Sequence, residues 1–276
     1  MDTHCHLDAS EFAGAQTELI ANAQAAGVDR IVVPSVTRAN FEVVYELCQK
    51  HVGCLPAYGI HPMYVGDAVP EDLNVLREYL TQRQPVAVGE IGLDFFIQHY
   101  DRAAQEFFFV EQLKLAREFD LPVLLHIRRA PDVILKHLRE HKVRSGIAHA
   151  FNGSRQQADE FIKLGFKLGF GGAMTFERAT KLRELAATLP LEAIVLETDA
   201  PDIPPSFLPS HASGRGIGGE GEALSKKVIN EPQYVKRIAQ TLADLRGMAL
   251  EEVAQITTAN ACEVLPALCR LDASRT

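Results

Sequence analysis

The sequence is short of the features that mark several classes of protein. It contains no tryptophan and no CxxC pair, and its cysteines are odd in number: Cys5, Cys48, Cys54, Cys262 and Cys269. No stretch approaches the roughly 20 consecutive apolar residues of a membrane-spanning helix, and the N-terminus lacks the basic and then apolar regions of a secretory signal. We therefore expect a reduced, cytoplasmic protein rather than a disulfide scaffold or a membrane protein.

Positive charge is also in deficit. Lysine and arginine number 28 against 36 aspartates and glutamates, which gives a formal net charge of −8 and a pI of about 5.7. This balance argues against a broad basic surface for duplex DNA. It does not exclude a phosphate substrate held by a metal, because a bound cation raises the charge locally whatever the total.

What is present is a repeated alternation of short apolar runs with amphipathic segments. The apolar runs predict eight strands, at residues 2–6, 30–34, 54–62, 86–92, 122–127, 146–150, 167–172 and 193–199. Strands that alternate with helices indicate parallel βαβ units, and eight units close into a (β/α)8 TIM barrel of the α/β class. The rival, a doubly wound open sheet, would carry GxGxxG after its first strand, and this sequence does not.

The chain reads as one domain over residues 1–276. We find neither an inter-domain linker nor a low-complexity tract. Residues 200–227 are rich in proline, glycine and serine and are interpreted as a long loop on the rim of the barrel. Two further amphipathic segments after this loop predict extra C-terminal helices.

Ionisable side chains follow the apolar runs. His4 and His6 lie two residues apart in the first predicted strand, so their side chains face the same side. Later strands also end in ionisable residues, namely His61, Glu90, His126, His149, Glu197 and Asp199. The carboxyl ends of barrel strands converge on one rim, where active sites lie, so we predict that these side chains meet in one pocket.

Six of these side chains have the chemistry of a metal centre. Neutral imidazole and ionised carboxylate bind divalent transition metals, whereas the same groups packed together without a cation would suffer desolvation and repulsion. Six ligands exceed the about three that hold one open catalytic ion, so they suit two ions that share a carboxylate and a hydroxide. The predicted ligands are His4, His6, Glu90, His126, His149 and Asp199.

Other residues near the rim are candidates for binding substrate. Arg128, two residues past His126, could grip a phosphate with two hydrogen bonds, and its alternative role is a surface salt bridge. His61 could cap its strand, hydrogen-bond a ligand or touch substrate. Glu197 either orients a metal ligand or pairs with an arginine. Arg215, in the glycine-rich part of the rim loop, could close over substrate.

The motifs also carry a resemblance to a known family. DTHCHLD, GIHP, GEIGLDF, PVLLHIRRAPD, HAFNGS and LETDAP, followed by NEPQYV, occur in the order found in TatD-type metal-dependent hydrolases, a branch of the amidohydrolase superfamily. The resemblance runs from Asp2 to at least Val235 and implies a distorted (β/α)8 barrel with two cations. It also implies deoxyribonuclease or more general phosphoesterase activity. The implied ligands are His4, His6 and Asp199 for the first ion, His126 and His149 for the second, and Glu90 for both.

Two departures from the family pattern bear on these expectations. The family usually has several residues before its DxHxH motif, whereas here the motif begins at residue 2, so we expect a shortened first strand. Other amidohydrolase branches often bridge their ions with a carboxylated lysine. The equivalent strand here ends in Glu90, which favours the TatD branch over the phosphotriesterase and dihydroorotase branches.

Three functions follow as hypotheses. The first is a phosphodiesterase that acts on DNA ends or single strands, in which a metal-bridging hydroxide attacks phosphorus and Asp199 takes and returns the proton. The second is hydrolysis of a small phosphate ester, lactone or amide, and the third, ranked last, is metal binding without turnover. Magnesium is the family's usual metal, but four nitrogen ligands favour zinc, manganese, iron or cobalt. We expect no obligate protein partner.

Overall fold

The computed structural model describes residues 1–98, 101–209 and 229–272. Its centre is one sheet of seven parallel strands, in which each strand pairs with the next along the chain. Parallel strands in sequential order, with helices between them, form a TIM-barrel-like sheet, so the predicted α/β fold class is confirmed. The strands are β1 (Ile31–Pro34), β2 (Cys54–Tyr58), β3 (Ala87–Asp94), β4 (Val123–Arg128), β5 (Gly146–Ala148), β6 (Phe166–Phe170) and β7 (Ile194–Leu196).

The α-helices lie before, between and after the strands, and each overlaps an amphipathic segment of the sequence. Ser154 illustrates how one begins: its hydroxyl accepts a hydrogen bond from the Gln157 amide, and the Gln157 side chain accepts one from the Ser154 amide. The helices are α1 (Gln16–Ala25), α2 (Phe41–Lys50), α3 (Asp72–Gln82), α4 (Arg102–Glu118), α5 (Pro131–His141), α6 (Arg155–Lys163), α7 (Thr180–Thr188), α8 (Val235–Arg246) and α9 (Leu250–Val264).

The predicted strand over residues 2–6 is the main difference from the expected barrel. These residues lie between β1 and β7 but form only two isolated bridges, Asp2 to Ile31 and Cys5 to Ala200. The physical reason is the Asp2 side chain, which accepts a hydrogen bond from the His4 amide at 3.2 Å and so removes that amide from the strand ladder. The segment still joins the two edges of the sheet, because its amides bond to β1 and to the chain at and after β7.

The interior of the barrel below the predicted pocket is apolar. Leu124, Ile147 and Val195 are fully buried, and each lies two residues before a predicted site residue, so it faces the same side of its strand. Val264 and Leu265, at the end of α9, pack into the same cluster from below. The predicted site residues therefore pack on a buried apolar layer on their inner side.

The cysteines depart from the expectation of a fully reduced chain. Cys5, Cys48 and Cys54 are free and buried, as expected, but Cys262 and Cys269 form a disulfide. The chain turns back after α9 ends, which brings the two Cα atoms to 5.7 Å, within the usual range for such a bond. Seven residues of sequence separation gave no sign of this turn.

Two further expectations concern membranes and the rim loop. Among the described residues, no helix combines the length and apolar character needed to cross a membrane. Residues 201–209 of the predicted rim loop form turns without a strand or helix, while 210–228, including Arg215, lie outside the described residues.

Asn260 connects α9 to the barrel by hydrogen bonds, and replacing it tests how much these bonds stabilise the fold. Its side-chain amide donates to the carbonyls of Leu191 at 2.8 Å and Ile194 at 2.7 Å, and both bonds are buried. Asn260→Ala should therefore lower the free energy of unfolding by about 2 kcal/mol, because two buried carbonyls lose their donor. Urea unfolding at fixed metal concentration measures the change.

The exposed Asn74 of α3 is the matched control for this prediction. Asn74→Ala should change the free energy of unfolding by less than about 0.5 kcal/mol. Equal losses in the two variants would show that Asn260 does not hold α9 in place.

Candidate metal centre

The structure brings the six predicted metal ligands together: five line one pocket, and the sixth, His4, is fully buried against Glu90. His4 and His6 come from the segment that joins the sheet edges, Glu90 and His126 from β3 and β4, and His149 and Asp199 from just beyond β5 and β7. The pairing of β3 with β4 shifts register between Val88 and Ile91, so a bulge in β3 aims the Glu90 side chain into the pocket. The ends of β4, β5 and β7 supply His126, His149 and Asp199, as the barrel prediction requires.

Glu90 is the centre of the arrangement. Its Oε2 lies 3.2 Å from His4 Nε2 and 3.4 Å from His6 Nε2, while its Oε1 lies 3.0 Å from His126 Nδ1 and 3.5 Å from His149 Nε2. Burial alone would raise the pKa of Glu90, but the surrounding imidazoles outweigh burial and hold that pKa well below its usual value. Glu90 is thus an ionised carboxylate whose two oxygens face two different pairs of imidazoles.

Asp199 completes the pocket from the opposite side. Its Oδ1 lies 3.7 Å from His4 Nε2, 3.8 Å from His6 Nε2 and 3.9 Å from His149 Nε2. The backbone at Asp199 is left-handed, with φ 59°, a conformation that aspartate tolerates better than most residues. Two backbone hydrogen bonds hold it, from the Asp199 amide to the His4 carbonyl at 2.9 Å and from the Asp202 amide to the Asp199 carbonyl at 2.8 Å.

The spacing of these atoms fits a divalent cation. His4 Nε2, His6 Nε2 and Glu90 Oε2 are separated from one another by 3.2 to 3.4 Å. Ligands about 2.1 Å from a tetrahedral ion lie about 3.4 Å apart, so the three atoms have the separation that one ion requires. A second group able to hold an ion consists of His4, His149 and Asp199. The buried side chains therefore have the composition and the spacing of a metal centre.

Two of the imidazoles are held by carboxylates behind them. His126 Nε2 lies 3.0 Å from Asp94 Oδ2, and His149 Nδ1 lies 3.2 Å from Glu197 Oε1. When the ring is neutral, a hydrogen bond donated by one ring nitrogen leaves the lone pair on the other, here His126 Nδ1 and His149 Nε2, both of which face Glu90. This is the carboxylate–histidine–metal arrangement that fixes the orientation of metal ligands.

Comparison with known proteins also indicates a metal-dependent hydrolase. The family model for TatD-related DNases matches residues 1–266. The metal-dependent hydrolase YjjV of Escherichia coli K12, described as uncharacterised, is 39% identical over 258 residues, covering 92% of this chain and 93% of that protein. The crystal structure of YjjV superposes with a TM-score of 0.87 at 37% identity, covering 96% and 97% of the two chains.

This chain belongs to the TatD family. It is accordingly a metal-dependent hydrolase, as the sequence resemblance implied. A relative from Pantoea named as the 3′-5′ ssDNA/RNA exonuclease TatD is 32% identical and covers 91% of this chain and 93% of its own length. An amidohydrolase structure from Saccharomyces cerevisiae shares the fold, with a TM-score of 0.74 at 19% identity over 95% and 98% of the chains.

The structure of this TatD-family protein adds supporting residues that the sequence reading did not single out. Asp94 holds His126, and Asp2 accepts hydrogen bonds from Thr198 and from the His4 amide. Asn230 donates its side-chain amide to the Thr198 carbonyl at 2.8 Å, which ties down the loop before Asp199. Asp94 lies in the motif GEIGLDF and Asn230 in NEPQYV, so the motifs were the available signal.

Glu197 has the geometry of an orienting group. It is fully buried and accepts hydrogen bonds from His149 Nδ1 and from the Ala150 amide at 2.5 Å. A Cβ atom at Gly169 would strike its carboxylate, so the glycine makes the space that Glu197 occupies. Of the two roles predicted for Glu197, orientation of a ligand and pairing with an arginine, its contacts correspond to the first.

His61 lies closer to the centre than a rim position would place it. Its Nε2 lies 3.5 Å from Glu90 Oε1, and its Nδ1 accepts a hydrogen bond from the Met63 amide at 3.2 Å. Burial lowers the pKa of His61 to about 4, so the ring is neutral and carries its proton on Nε2. His61 is therefore a hydrogen-bond donor directed at Glu90 and at the pocket.

The remaining candidates lie at the mouth of the pocket. The guanidinium of Arg128 lies 3.8 Å from the centre of the Phe96 ring, and that of Arg129 lies 4.5 Å from the same centre. The alternation of a regular strand would direct Arg129 away from Arg128. Its left-handed backbone, with φ 57°, breaks that alternation. Arg215 lies outside the described residues.

The charges of the pocket predict how metal uptake depends on pH. Although burial opposes protonation, neighbouring carboxylates raise the pKa of His6 to about 9 and of His149 to about 10. Both rings are therefore protonated at neutral pH in the metal-free protein and must lose a proton to become ligands. We expect Mn²⁺ binding at pH 7 to release about two protons, and the affinity to rise about a hundredfold per pH unit between pH 6 and 8.

Isothermal titration of metal-stripped protein with Mn²⁺ measures both quantities. Buffers of different ionisation enthalpy give the number of protons released at each pH. His149→Gln should lower that number by about one, because one of the two protonated imidazoles is gone. Metal binding without proton release would contradict the charge state derived for His6 and His149.

Proposed function

We propose that this protein is a divalent-metal-dependent phosphodiesterase that degrades DNA from its ends or as single strands. The observation that carries the proposal is the Glu90 carboxylate, shared between two pairs of imidazoles beneath an open cavity of about 1170 Å³. A shared carboxylate suits a pair of cations, and paired cations are a recurrent solution for hydrolysis of phosphodiesters. The name of the Pantoea relative supports a nucleic-acid substrate.

The proposed ligand assignment follows the contacts of the two Glu90 oxygens for the imidazoles, and Asp199 is placed with His4 and His6, from which its Oδ1 lies 3.7 and 3.8 Å. Four nitrogens among six ligands favour zinc, manganese, iron or cobalt over magnesium, which prefers oxygen ligands. When bound, such cations polarise the phosphate and make a coordinated water more acidic. We assign His4, His6 and Asp199 to one cation, His126 and His149 to the other, and Glu90 to both.

Asp199 is proposed as the group that moves the proton. Its side chain is 14% exposed, against 2% for Glu90, so it is the carboxylate of the set that reaches the cavity. It takes a proton from the water that attacks phosphorus. A phosphorus–oxygen bond to water then forms, the bond to the leaving oxygen breaks, and Asp199 returns the proton to that oxygen.

The mouth of the cavity has the groups needed to hold a strand of nucleic acid. Arg128 offers a planar set of donors for a phosphate, and Phe96 is 45% exposed, which leaves part of its ring available for a base. His61 donates from the floor of the pocket. These positive and aromatic groups are local, so they are compatible with the net charge of −8.

Asp199→Asn tests the proposed reaction. With saturating Mn²⁺, which compensates for weaker metal binding, cleavage of end-labelled single-stranded DNA should fall by about 100- to 10,000-fold, because asparagine cannot accept the proton. Circular dichroism should show an intact fold. Asp244→Asn, at an exposed position of α8, is the matched control and should retain the wild-type rate.

Two outcomes would contradict this proposal in different ways. Wild-type rates in Asp199→Asn would exclude Asp199 as the proton acceptor. Turnover of bis(p-nitrophenyl) phosphate by the wild-type protein without any cleavage of DNA would exclude the nucleic-acid substrate and leave a phosphodiesterase of small esters.

Arg128→Gln tests the mouth of the cavity. We expect the KM for single-stranded DNA to rise about tenfold while kcat changes by less than about twofold, because a charge-assisted contact to a phosphate away from the reacting centre is lost. Arg144→Gln, at an exposed position that pairs with Asp120, should leave both constants unchanged. An unchanged KM in Arg128→Gln would place the substrate elsewhere.

A further inference from the structure

A second group of metal-binding side chains lies on helix α5, outside the pocket. His137, Glu140 and His141 follow the spacing HxxEH, which places them on one face of the helix. One ligand atom from each lies within 4.8 Å of the others. In one class of metallopeptidase two histidines at this spacing bind zinc from one helix, so the helix geometry allows His137 and His141 to share an ion.

His137 is the unusual member of the group. It is 8% exposed and packs edge-on against Phe109 of α4, with ring centres 5.9 Å apart. Neither of its ring nitrogens makes a hydrogen bond to any described residue. A buried imidazole with both nitrogens unsatisfied is costly, so a partner that the polypeptide does not supply would stabilise it.

Carboxylates face both nitrogens of His137 at distances too long for good hydrogen bonds. Nδ1 lies 3.6 Å from Glu140 Oε2, and Nε2 lies 3.5 Å from Glu106 Oε2 of α4. Glu106 is ionised, because Arg102 and, more weakly, His137 lower its pKa. Glu106 can therefore orient His137 through Nε2 and leave Nδ1 directed towards Glu140 and His141.

We propose that His137, Glu140 and His141 bind a zinc-class divalent cation, with Glu106 orienting His137. Two imidazoles and a carboxylate are a suitable ligand set for zinc and its neighbours. The last turn of a helix also favours a cation, because its carbonyl dipoles point there. Glu140 has a side chain that is 52% exposed, which gives the ion a path from solvent.

The nearby cations do not block this site. Lys114 lies close enough to lower the pKa of His141, after burial and His137, but its own ammonium is paired with Glu111 at 2.5 Å. Lys136 contacts Glu140 only at 3.9 Å, a surface pair that an ion would readily replace.

The site is separate from the catalytic pocket. Helix α5 begins at Pro131, next to the strand end that carries Arg128, and its 11 residues run back along the barrel for about 16 Å. His141 therefore lies near the opposite end of the barrel. An ion there would link α4 to α5 and would not touch substrate, so this inference is independent of the proposed function.

Zinc stoichiometry tests the proposal. Metal-stripped wild type and the His141→Gln variant are equilibrated at the same buffered micromolar free zinc, and the bound zinc is measured by elemental analysis. The wild type should hold one zinc per chain more than His141→Gln. His51→Gln, which removes a half-buried histidine at the end of α2, should match the wild type.

Two further measurements test the role of Glu106 and the separation of this site from the catalytic pocket. Glu106→Gln should keep the stoichiometry at saturating zinc but weaken the affinity of this site about tenfold, the effect of losing an orienting carboxylate. Phosphodiesterase activity should be equal in all three variants and the wild type. Equal zinc content in His141→Gln and the wild type would overturn the proposal and leave the catalytic assignment untouched.

Discussion

One ionised carboxylate determines the arrangement of the pocket. Glu90 is 1% exposed and yet charged, because imidazoles from four other segments of the chain surround it. Neither part is stable alone: a buried carboxylate without these partners would be neutral, and the imidazoles without Glu90 would repel one another when protonated. A divalent cation between them would neutralise the carboxylate and bind the imidazoles in their neutral form, so the buried polar centre and metal binding would depend on each other.

Carboxylates behind the pocket explain how the imidazoles of His126 and His149 keep fixed orientations. Asp94 and Glu197 hold the far nitrogens of His126 and His149, and both carboxylates are themselves buried and hydrogen-bonded to the backbone. The apolar layer below prevents water from competing for these bonds. His126 and His149 are thus supported by the strands that carry them, by a carboxylate behind each ring and by the apolar layer below.

The sequence predicted which side chains gather at the pocket better than it predicted what holds them. The gathering of the six predicted ligands requires only that parallel strands end on one rim, so errors of a few residues in strand limits did no harm. Asp94 and Asp2 act through particular side-chain oxygens, which strand periodicity does not specify. Arg129 and the Cys262–Cys269 bond depend on local turns of the backbone, and a left-handed residue reverses the alternation from which its direction was inferred.

The segment of residues 2–6 has both a structural role and a role in the pocket, so a change in one affects the other. The same few residues connect β1 to β7 and present His4 and His6. Any fluctuation that detaches residues 2–6 from the sheet would displace two predicted metal ligands and separate β1 from β7 in a single event. Metal binding should therefore stabilise the attachment of residues 2–6 to the sheet, and slower hydrogen exchange of their backbone amides would show this effect.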